Sequence, residues 1–290
     1  MKITEIISGP LPSLSFEIFP PKADTALCDV KEAARKIASL SPSFMSVTYG
    51  AGGTTAGLTL ELADAVENEF GVTALAHLTC LSSDRAGIKA RLDSLRGRGI
   101  ENVLALRGDR PADADPHRGD YRHASDLVAD IADYGGFCIG GACYPEGHPE
   151  SPSQKEDIEN LRVKEEAGCS FFTTQMFFDN NVLYNFMYKI REAGITVPVI
   201  AGIMPVTNGN QIKRICALSG TDLPQRFRQI VDRYSSDPRA MAQAGVIYAA
   251  EQIVDLFANG IRAVHVYSMN RPETAAAIAG AVGAILRQPI

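Results

Sequence analysis

Eight short apolar runs recur along this chain of 290 residues, and segments with helical spacing separate the first seven of them. In order, the runs are LSFEIFP (14–20), FMSVTYG (44–50), TALAHLTC (73–80), NVLALRGD (102–109), FCIGGACYPE (137–146), FFTTQMFFD (171–179), PVIAGIMPV (198–206) and AVHVYSMN (263–270). Their nearly continuous hydrophobicity is typical of parallel strands that are covered on both faces. Strands alternating with helices form βα units. Eight units predict a (β/α)8 barrel, with a doubly wound sheet as the alternative.

The spacing between the last two runs is unusual. Residues 207–262 hold more helical pattern than one crossover needs, so we expect extra helices between strands 7 and 8. No linker or shift in composition divides the chain. We therefore expect residues 1–290 to form a single barrel domain.

Charge and composition exclude several classes of protein. The formal net charge is −6 and no basic block occurs, which argues against general binding to nucleic acid or to anionic membranes. No apolar run approaches the roughly 18 residues of a membrane span, and the first residues lack the pattern of a signal peptide. The six cysteines form no CxxC pair, so we expect free thiols and a cytoplasmic location.

Polar residues fall late in six of the eight runs. In a βα barrel these strand ends converge on one face, where the loops build the active site. The residues are Glu17, Thr48, His77, Arg107 with Asp109, Tyr144 with Glu146, and Gln175 with Asp179. We expect them to surround one cavity.

Two carboxylates in this set have both a structural and a chemical interpretation. Glu17 could pair with Lys22 or a backbone amide, or it could be a proton donor whose pKa is raised by burial in an apolar strand. Asp109 could begin a turn, or it could be a fixed negative charge facing a developing cation.

Three further segments give weaker signals. The segment YGAGGTT (49–55) is either a plain tight turn or a close approach to a phosphate or ring. The segment YPEGHPES (144–151) is either a solvated loop or a rigid one that presents Tyr144 and His148. Asp157, Asn160 and Lys164 share one helical face, which could simply be solvated.

No spacing on one element supports a metal site, and no strand carries an internal lysine for Schiff-base chemistry. An organic cofactor, or acid and electrostatic catalysis alone, remains.

Together these motifs resemble one family. SFEIFPPK (15–22), VTYGAGG (47–53), HLTC (77–80), LRGD (106–109), YPEGHPES, TTQMFFD (173–179), GIMPV (202–206) and YSMNR (267–271) are similar, in order, to motifs of the methylenetetrahydrofolate reductases. The length is similar to the short bacterial form. The resemblance implies a catalytic barrel that binds FAD, takes hydride from NADH or NADPH and reduces 5,10-methylenetetrahydrofolate to 5-methyltetrahydrofolate. It also implies a ping-pong order, a supply of methyl groups to methionine synthesis, and a homo-oligomer.

The resemblance assigns roles to individual residues. Glu17 and Asp109 would be catalytic, the first as general acid and the second beside the flavin and the pterin. Gln175, Tyr267, Arg271 and Asp109 would bind the folate. Thr48 would lie near the nicotinamide, and the flavin contacts would be Tyr49, Ala51, His77, Arg107, Gly108, Asp109, Ala124, Tyr144, His148, Ser151, Asp157, Asn160 and Lys164. No metal is implied.

Three positions depart from the family's pattern. Gly209 stands where relatives often carry a bulky apolar residue, His123 where a tyrosine is common, and Val163 where some have a basic residue. These departures motivate one alternative, a non-catalytic folate- or flavin-binding subunit of a larger complex. A tetrahydrofolate-linked methyltransferase on the same barrel is a second alternative. The choice between NADH and NADPH is also open.

Overall fold

A computed structural model of the chain describes residues 1–21, 26–49, 56–81, 83–108 and 119–289. Within these ranges, eight parallel strands follow one another in sequence order and close into a barrel, since the eighth pairs with the first. The strands are β1 (Ser13–Ile18), β2 (Met45–Val47), β3 (Ala74–Thr79), β4 (Asn102–Leu106), β5 (Cys138–Cys143), β6 (Phe171–Thr174), β7 (Val199–Ile203) and β8 (Ala263–Tyr267). The predicted barrel is confirmed.

Helices lie around the barrel and at its two ends. They are α1 (Ile3–Ile7), α2 (Leu27–Ala38), α3 (Ala56–Asp64), α4 (Arg85–Arg96), α5 (Ala124–Tyr134), α6 (Gln154–Glu166), α7 (Asn180–Glu192), α8 (Gly209–Ser219), α9 (Gln225–Tyr234), α10 (Pro238–Ala258) and α11 (Pro272–Val282). A π-helical turn at Ala65–Glu69 extends α3, and a 3₁₀ turn at Ile285–Arg287 follows α11. The three helices α8 to α10 lie between β7 and β8, which confirms the predicted insertion.

Alternation along β1 decides which side chains enter the barrel. Phe16 and Ile18 point outward and join the core between strands and helices, where they are 1% exposed. Ser15 and Glu17 therefore point inward, because successive side chains of a strand face opposite sides. The register pairs Ser15 with His265 and Glu17 with Tyr267 of β8, so polar side chains from two neighbouring strands share the interior.

A second apolar cluster fills the interior near the beginnings of the strands. It contains Ile3, Ile7, Phe44, Leu75, Leu104, Cys138, Phe171, Ile200 and Ala263. Helix α1 supplies the first two and thereby plugs this end of the barrel. The buried Asn102 fixes the plug, because its Oδ1 accepts the Ile3 N–H at 2.9 Å and its Nδ2 donates to the Met1 carbonyl at 3.0 Å. The opposite end of the barrel, at the carboxyl ends of the strands, is not filled by this apolar cluster.

Several helices that begin at this carboxyl end start at a side-chain cap. Asp84, Ser153, Asp179 and Asn208 each accept a backbone N–H from the first turn of α4, α6, α7 and α8. Such caps satisfy amides that have no partner within the helix, and they fix where each loop ends. In the described part of the chain, no helix combines the length and the hydrophobicity that crossing a bilayer requires.

Candidate active site

A cavity of about 500 Å³ opens at the carboxyl ends of the strands. Its size is within the usual range of small-molecule sites. All eight strands or the loops that follow them contribute to its wall, which consists of Glu17, Thr48, Leu75, His77, Leu104, Leu106, Ala142, Tyr144, Thr173, Thr174, Gln175, Met176, Met204, Ile215, Ser219, His265, Tyr267 and Met269. The prediction that the polar strand ends surround one cavity therefore holds for Glu17, Thr48, His77, Tyr144 and Gln175, and Tyr267 joins them.

Glu17 and His77 face each other on this wall without forming an ion pair. The Glu17 Oε2 lies 3.7 Å from the His77 Nε2, and the two side chains are 20% and 8% exposed. Burial raises the pKa of Glu17 from 4.5 to about 8 and lowers the pKa of His77 from 6.5 to about 4. Both groups are therefore neutral near pH 7, because desolvation disfavours their charged forms. The His77 Nε2 is buried and has no hydrogen-bond partner in the protein.

His265 lies one layer deeper, between two serines. Its Nδ1 lies 2.7 Å from Ser15 Oγ, and its Nε2 lies 2.8 Å from Ser46 Oγ. Ser15 donates its single proton to the Val264 carbonyl, so it accepts from Nδ1–H and leaves Nε2 to accept from Ser46. Burial lowers the pKa of His265 to about 3. The floor below Glu17 is therefore polar but uncharged.

Tyr267 crosses the barrel next to this floor. Its hydroxyl donates to the Thr174 carbonyl at 2.5 Å, and burial raises its pKa well above the ordinary value. The crossing requires Gly202 of β7, because a methyl group there would overlap both the Tyr267 hydroxyl and the Thr174 carbonyl oxygen. Gln175 lies beside this crossing. Its Oε1 accepts the Met176 N–H at 2.9 Å, so the amide presents its Nε2 donors to other partners.

The loop between β5 and α6 forms one side of the mouth. The rings of Tyr144 and His148 meet edge to face at 4.6 Å. The His148 N–H and the Ser151 hydroxyl both donate to Asp157 at the start of α6, at 3.1 and 3.3 Å. The buried carboxylate of Asp157 thus holds the loop in place, and these four predicted flavin contacts lie together.

Lys164 of α6 reaches back toward the barrel. Its Nζ donates to the carbonyl of Ala142 on β5 at 2.9 Å, and burial lowers its pKa. Asp157 is one of the nearby groups that oppose this shift. Asn160, predicted on the same helical face, is exposed. The structure therefore brings Asp157 and Lys164 to the barrel and leaves Asn160 at the surface of α6.

Arg107 follows β4 and is bound by a residue that the sequence did not single out for this role. Its guanidinium donates to both carboxylate oxygens of Glu150, at 2.8 and 2.6 Å. Gly108 has a φ of +91°, a conformation that side chains with a Cβ rarely adopt. The two bonds between Arg107 and Glu150 connect the end of β4 to the β5–α6 loop.

The other predicted residues lie outside the wall of the main cavity. Tyr49 has a buried hydroxyl without a partner and lines a smaller cavity of about 170 Å³ that it shares with His77. Ala124 is the first residue of α5. Arg271 donates from Nη1 to the Thr207 hydroxyl at 2.7 Å. Ala51 and Asp109, together with Lys22, lie outside the described residues.

The structure shows what surrounds the three residues that depart from the family's pattern. A Cβ at Gly209 would lie 2.6 Å from the Cβ of Ser235, so the residue that follows α9 occupies the space of a larger side chain. His123 is the cap residue of α5, and its N–H donates to Asp126 at 2.9 Å. Val163 is 42% exposed on α6. None of the three lies on the wall of the main cavity.

The sequence patterns did not indicate Thr173, His265 or Met269 as wall residues, nor Glu150 as the partner of Arg107. The signal for His265 was available, since a polar residue alternates with apolar ones in AVHVY just as Glu17 does in SFEIF. Thr173 has a buried hydroxyl without a partner, but threonine is common in strands and gives no signal by itself. Among the described residues, no three metal-binding side chains are grouped as a metal site would need.

Comparisons with known proteins identify the family. The profile of the family "Methylenetetrahydrofolate reductase" matches residues 2–283. The chain is 33% identical over 300 residues to "Methylenetetrahydrofolate reductase (NADH) 1" of Zea mays, covering 98% of this chain and 50% of the maize protein. It is 32% identical over 272 residues to "5,10-methylenetetrahydrofolate reductase" of Escherichia coli K12, covering 93% and 90%. It thus spans about half the length of the plant relative.

One solved structure supports the fold. It is described as an uncharacterized protein from Clostridium thermocellum that binds two copies of 5-methyl-5,6,7,8-tetrahydrofolic acid, and it matches with a TM-score of 0.64, covering 97% of each chain. At 14% identity this likeness concerns the fold alone. The profile over nearly the whole chain and the bacterial relative carry the assignment: the chain belongs to the methylenetetrahydrofolate reductase family.

Proposed function

We propose that this protein reduces 5,10-methylenetetrahydrofolate to 5-methyltetrahydrofolate, with FAD as cofactor and NADH or NADPH as hydride donor. One observation carries the proposal: Glu17 is an acid held neutral on the wall of the cavity where the polar strand ends meet. Opening the five-membered ring of the substrate requires a proton on the departing nitrogen, and only a protonated group can supply it.

The surroundings of Glu17 suit this role. The ideal catalytic acid has a pKa near the working pH, and burial brings Glu17 close to it. His77, at 3.7 Å, is neutral and therefore does not pull the proton away by forming an ion pair. Asp109 would stabilise the cationic iminium that ring opening leaves, a role that rests on the sequence resemblance.

The side chains around the mouth fit a flavin. Around the β5–α6 loop the protein offers cationic and neutral donors, namely Arg107, Lys164 and the His148 ring, beside the edge-on aromatic pair of Tyr144 and His148. Arginine and lysine bind phosphates, and aromatic rings contact planar ligands. The remaining flavin contacts would be Thr48, Tyr49, Ala51, His77, Gly108, Asp109, Ala124, Ser151, Asp157 and Asn160. FAD, when bound, would supply the hydride transfer, which no amino-acid side chain can perform.

The folate would be held on the other side of the mouth. Gln175 offers amide donors, because its Oε1 is occupied by the Met176 N–H. Tyr267 supplies the rigid crossing beside it, and Arg271 projects a guanidinium from the β8–α11 loop. These donors suit the heteroatoms of a pterin and the carboxylates of its glutamate tail.

The remaining features of the proposal rest on the family. The nicotinamide and the folate would use the same place in turn, which is a ping-pong order, and the product would feed methionine synthesis. The name of the maize relative specifies NADH. For this chain, the proposal covers both NADH and NADPH as the hydride donor. We also propose that residues 1–290 act as one domain, in the cytoplasm and as a homo-oligomer.

The test is anaerobic mixing of the purified protein with each nicotinamide, followed by the folate. The protein should be yellow, its flavin absorbance should bleach with NADH or NADPH, and 5,10-methylenetetrahydrofolate should restore the colour while 5-methyltetrahydrofolate forms. A colourless protein that does not take up FAD would refute the proposal and favour the methyltransferase. Flavin uptake without turnover would refute it in favour of the non-catalytic subunit.

A further inference from the structure

The turn after β8 has an unusual backbone. Met269 and Asn270 have φ values of +55° and +53°, and among the described residues the one other non-glycine residue with a positive φ is Ser41, at +55°. Two successive left-handed residues with side chains are rare, because the Cβ meets neighbouring backbone in this region. Such outliers persist where the surrounding structure holds them in place, and they concentrate at functional sites.

Asn270 uses this conformation to bind the end of β1. Its Oδ1 accepts the Phe19 N–H at 2.9 Å, and its Nδ2 donates to the Phe19 carbonyl at 2.8 Å. One side-chain amide therefore satisfies both backbone groups of one residue, as a neighbouring strand would. Ser268 adds a third bond, because its hydroxyl donates to the Glu17 carbonyl at 2.7 Å. We call Ser268 and Asn270 the β8 clamp.

The clamp begins where the barrel ladder ends. The register between β1 and β8 stops at the pair of Glu17 and Tyr267. On the other side, β2 holds β1 as far as Ile18, whose carbonyl accepts the Thr48 N–H at 3.0 Å. Phe19 lies beyond both ladders, so Asn270 replaces backbone pairing at the point where β8 turns away.

We propose that Asn270, together with Ser268, is a positioning residue for Glu17, fixing the strand end so that the carboxyl group stays against His77 inside the cavity. The proposal rests on the proposed function, because it gives Glu17 the role of acid. Asn270 binds Phe19, which lies two residues from this acid along the chain, and Ser268 contacts the backbone of Glu17 itself.

The ionisable groups around Glu17 make its titration a sensitive measure of position. His77 of β3 lies against it, Tyr267 of β8 is its register partner, and His265 lies one layer below. Burial keeps all three neutral around pH 7. Since desolvation is the cause of the raised pKa of Glu17, a strand end that loosens and admits water will lower that pKa.

The test uses Asn270→Gly in the holoenzyme. Glycine adopts the left-handed backbone freely, so the variant removes the amide without adding strain. Ser41→Gly is the matched control, because it makes the same kind of change at the other left-handed residue, in the turn between α2 and β2. Hydrogen exchange of the peptide containing Phe19 reports the clamp. The ¹³C signal of the Glu17 carboxyl, assigned with Glu17→Gln, reports its pKa.

In Asn270→Gly, we expect the Phe19 amide to exchange about tenfold faster or more and the pKa of Glu17 to fall by about half a unit or more. Ser41→Gly should change neither. Faster exchange with an unchanged Glu17 titration would overturn the proposal, since the clamp would then be merely structural. Unchanged exchange would overturn it as well.

Ser268→Ala is the second variant if Asn270→Gly does not fold. It removes one bond to the Glu17 carbonyl and should shift the pKa of Glu17 in the same direction by a smaller amount; no shift would count against the clamp. Neither measurement requires folate. A wild-type enzyme that fails to reduce folate would therefore refute the proposed function, while the titration would still decide on the clamp.

Discussion

Glu17 owes its properties to its place in an alternating strand. Its neighbours Phe16 and Ile18 are buried in the outer core, so the side chain between them must enter the barrel. There it meets His77 and Tyr267, which are neutral, in place of a cation that would lower its pKa. An acid without a charged partner in a desolvated site keeps its proton. This is the state that a proton donor needs at neutral pH.

Replacing this acid should separate the two half-reactions. In Glu17→Gln, flavin reduction by the nicotinamide should continue at nearly the wild-type rate, because it needs no proton from residue 17. Folate reduction should fall by about 10²- to 10⁴-fold, the usual contribution of a general acid. Rapid mixing under anaerobic conditions measures each half separately. An equal loss in both halves would contradict the assigned role.

The same variant should change how stability depends on pH. Glu17 keeps its proton to about pH 8 in the folded protein but loses it near pH 4.5 when unfolded. Between these values the folded state binds more protons, so wild-type stability falls as pH rises, by up to about 1.4 kcal/mol per unit. Glutamine does not titrate. Glu17→Gln should therefore gain stability over wild type between pH 5 and pH 8, in urea unfolding at matched cofactor content.

An exposed carboxylate provides the control for that measurement. Glu192, near the end of α7, is exposed, and Glu192→Gln should follow the wild-type dependence on pH. A stability difference between Glu17→Gln and wild type that stays constant with pH would mean that Glu17 is not buried as an acid.

At the scale of the elements, the contact between β7 and β8 requires a glycine at position 202. Gly202→Ala would place a methyl group on the Tyr267 hydroxyl and the Thr174 carbonyl. Displacing the partly buried tyrosine should cost about 1–3 kcal/mol in the free energy of unfolding and weaken folate binding. In Gly280→Ala on α11, the new Cβ meets nothing within 4 Å, and stability should rise by up to about 1 kcal/mol. Equal stability of the two variants would refute the crowding argument.

Helix α6 permits a test of the proposed flavin site. Lys164 reaches the Ala142 carbonyl from this helix, whereas Lys155 on the same helix is exposed. Lys164→Met should reduce FAD affinity about tenfold or more, because it removes a cation from the mouth. Lys155→Met should leave the affinity unchanged. Titration of the apoprotein with FAD, followed by flavin fluorescence, measures both. Equal affinities would remove Lys164 from the proposed site.

The elements also show what sequence patterns can predict. The eight strands and the inserted helices follow from periodicity, which is local. The run at 171–179 is only partly a strand, because β6 ends at Thr174 and Asp179 already caps α7. A continuous apolar run does not mark where a strand stops.

The contacts that were missed join distant parts of the chain. The Arg107–Glu150 pair spans 43 residues and the bonds of Asn270 to Phe19 span 251. No local pattern encodes either contact. Glu17 could be selected because its chemistry conflicts with its neighbours, whereas asparagine at the end of a strand conflicts with nothing. Tertiary side-chain bonds of this kind require the fold.

At the scale of the whole molecule, the apolar cluster that fills the interior and the cavity of the proposed active site lie at opposite ends of the barrel. The end near the strand beginnings is filled by apolar side chains and closed by α1. The opposite end contains the cavity, the buried polar atoms of Tyr49, His77 and Thr173 that have no partner, and the left-handed pair at Met269 and Asn270. Unsatisfied buried groups and strained backbone reduce stability. The position of these groups beside the cavity supports the assignment of that end as the site of reaction.

The most direct test of Glu17 as the proton donor is the rate of folate reduction by the reduced enzyme, measured in a single turnover as a function of pH. If Glu17 delivers its proton from the cavity wall, the rate should be constant at neutral pH and decline tenfold per unit above about pH 8, where the acid ionises. Flavin reduction by the nicotinamide should show no such decline. A folate rate that stays level well beyond pH 8, or that rises as the pH increases, would contradict the account.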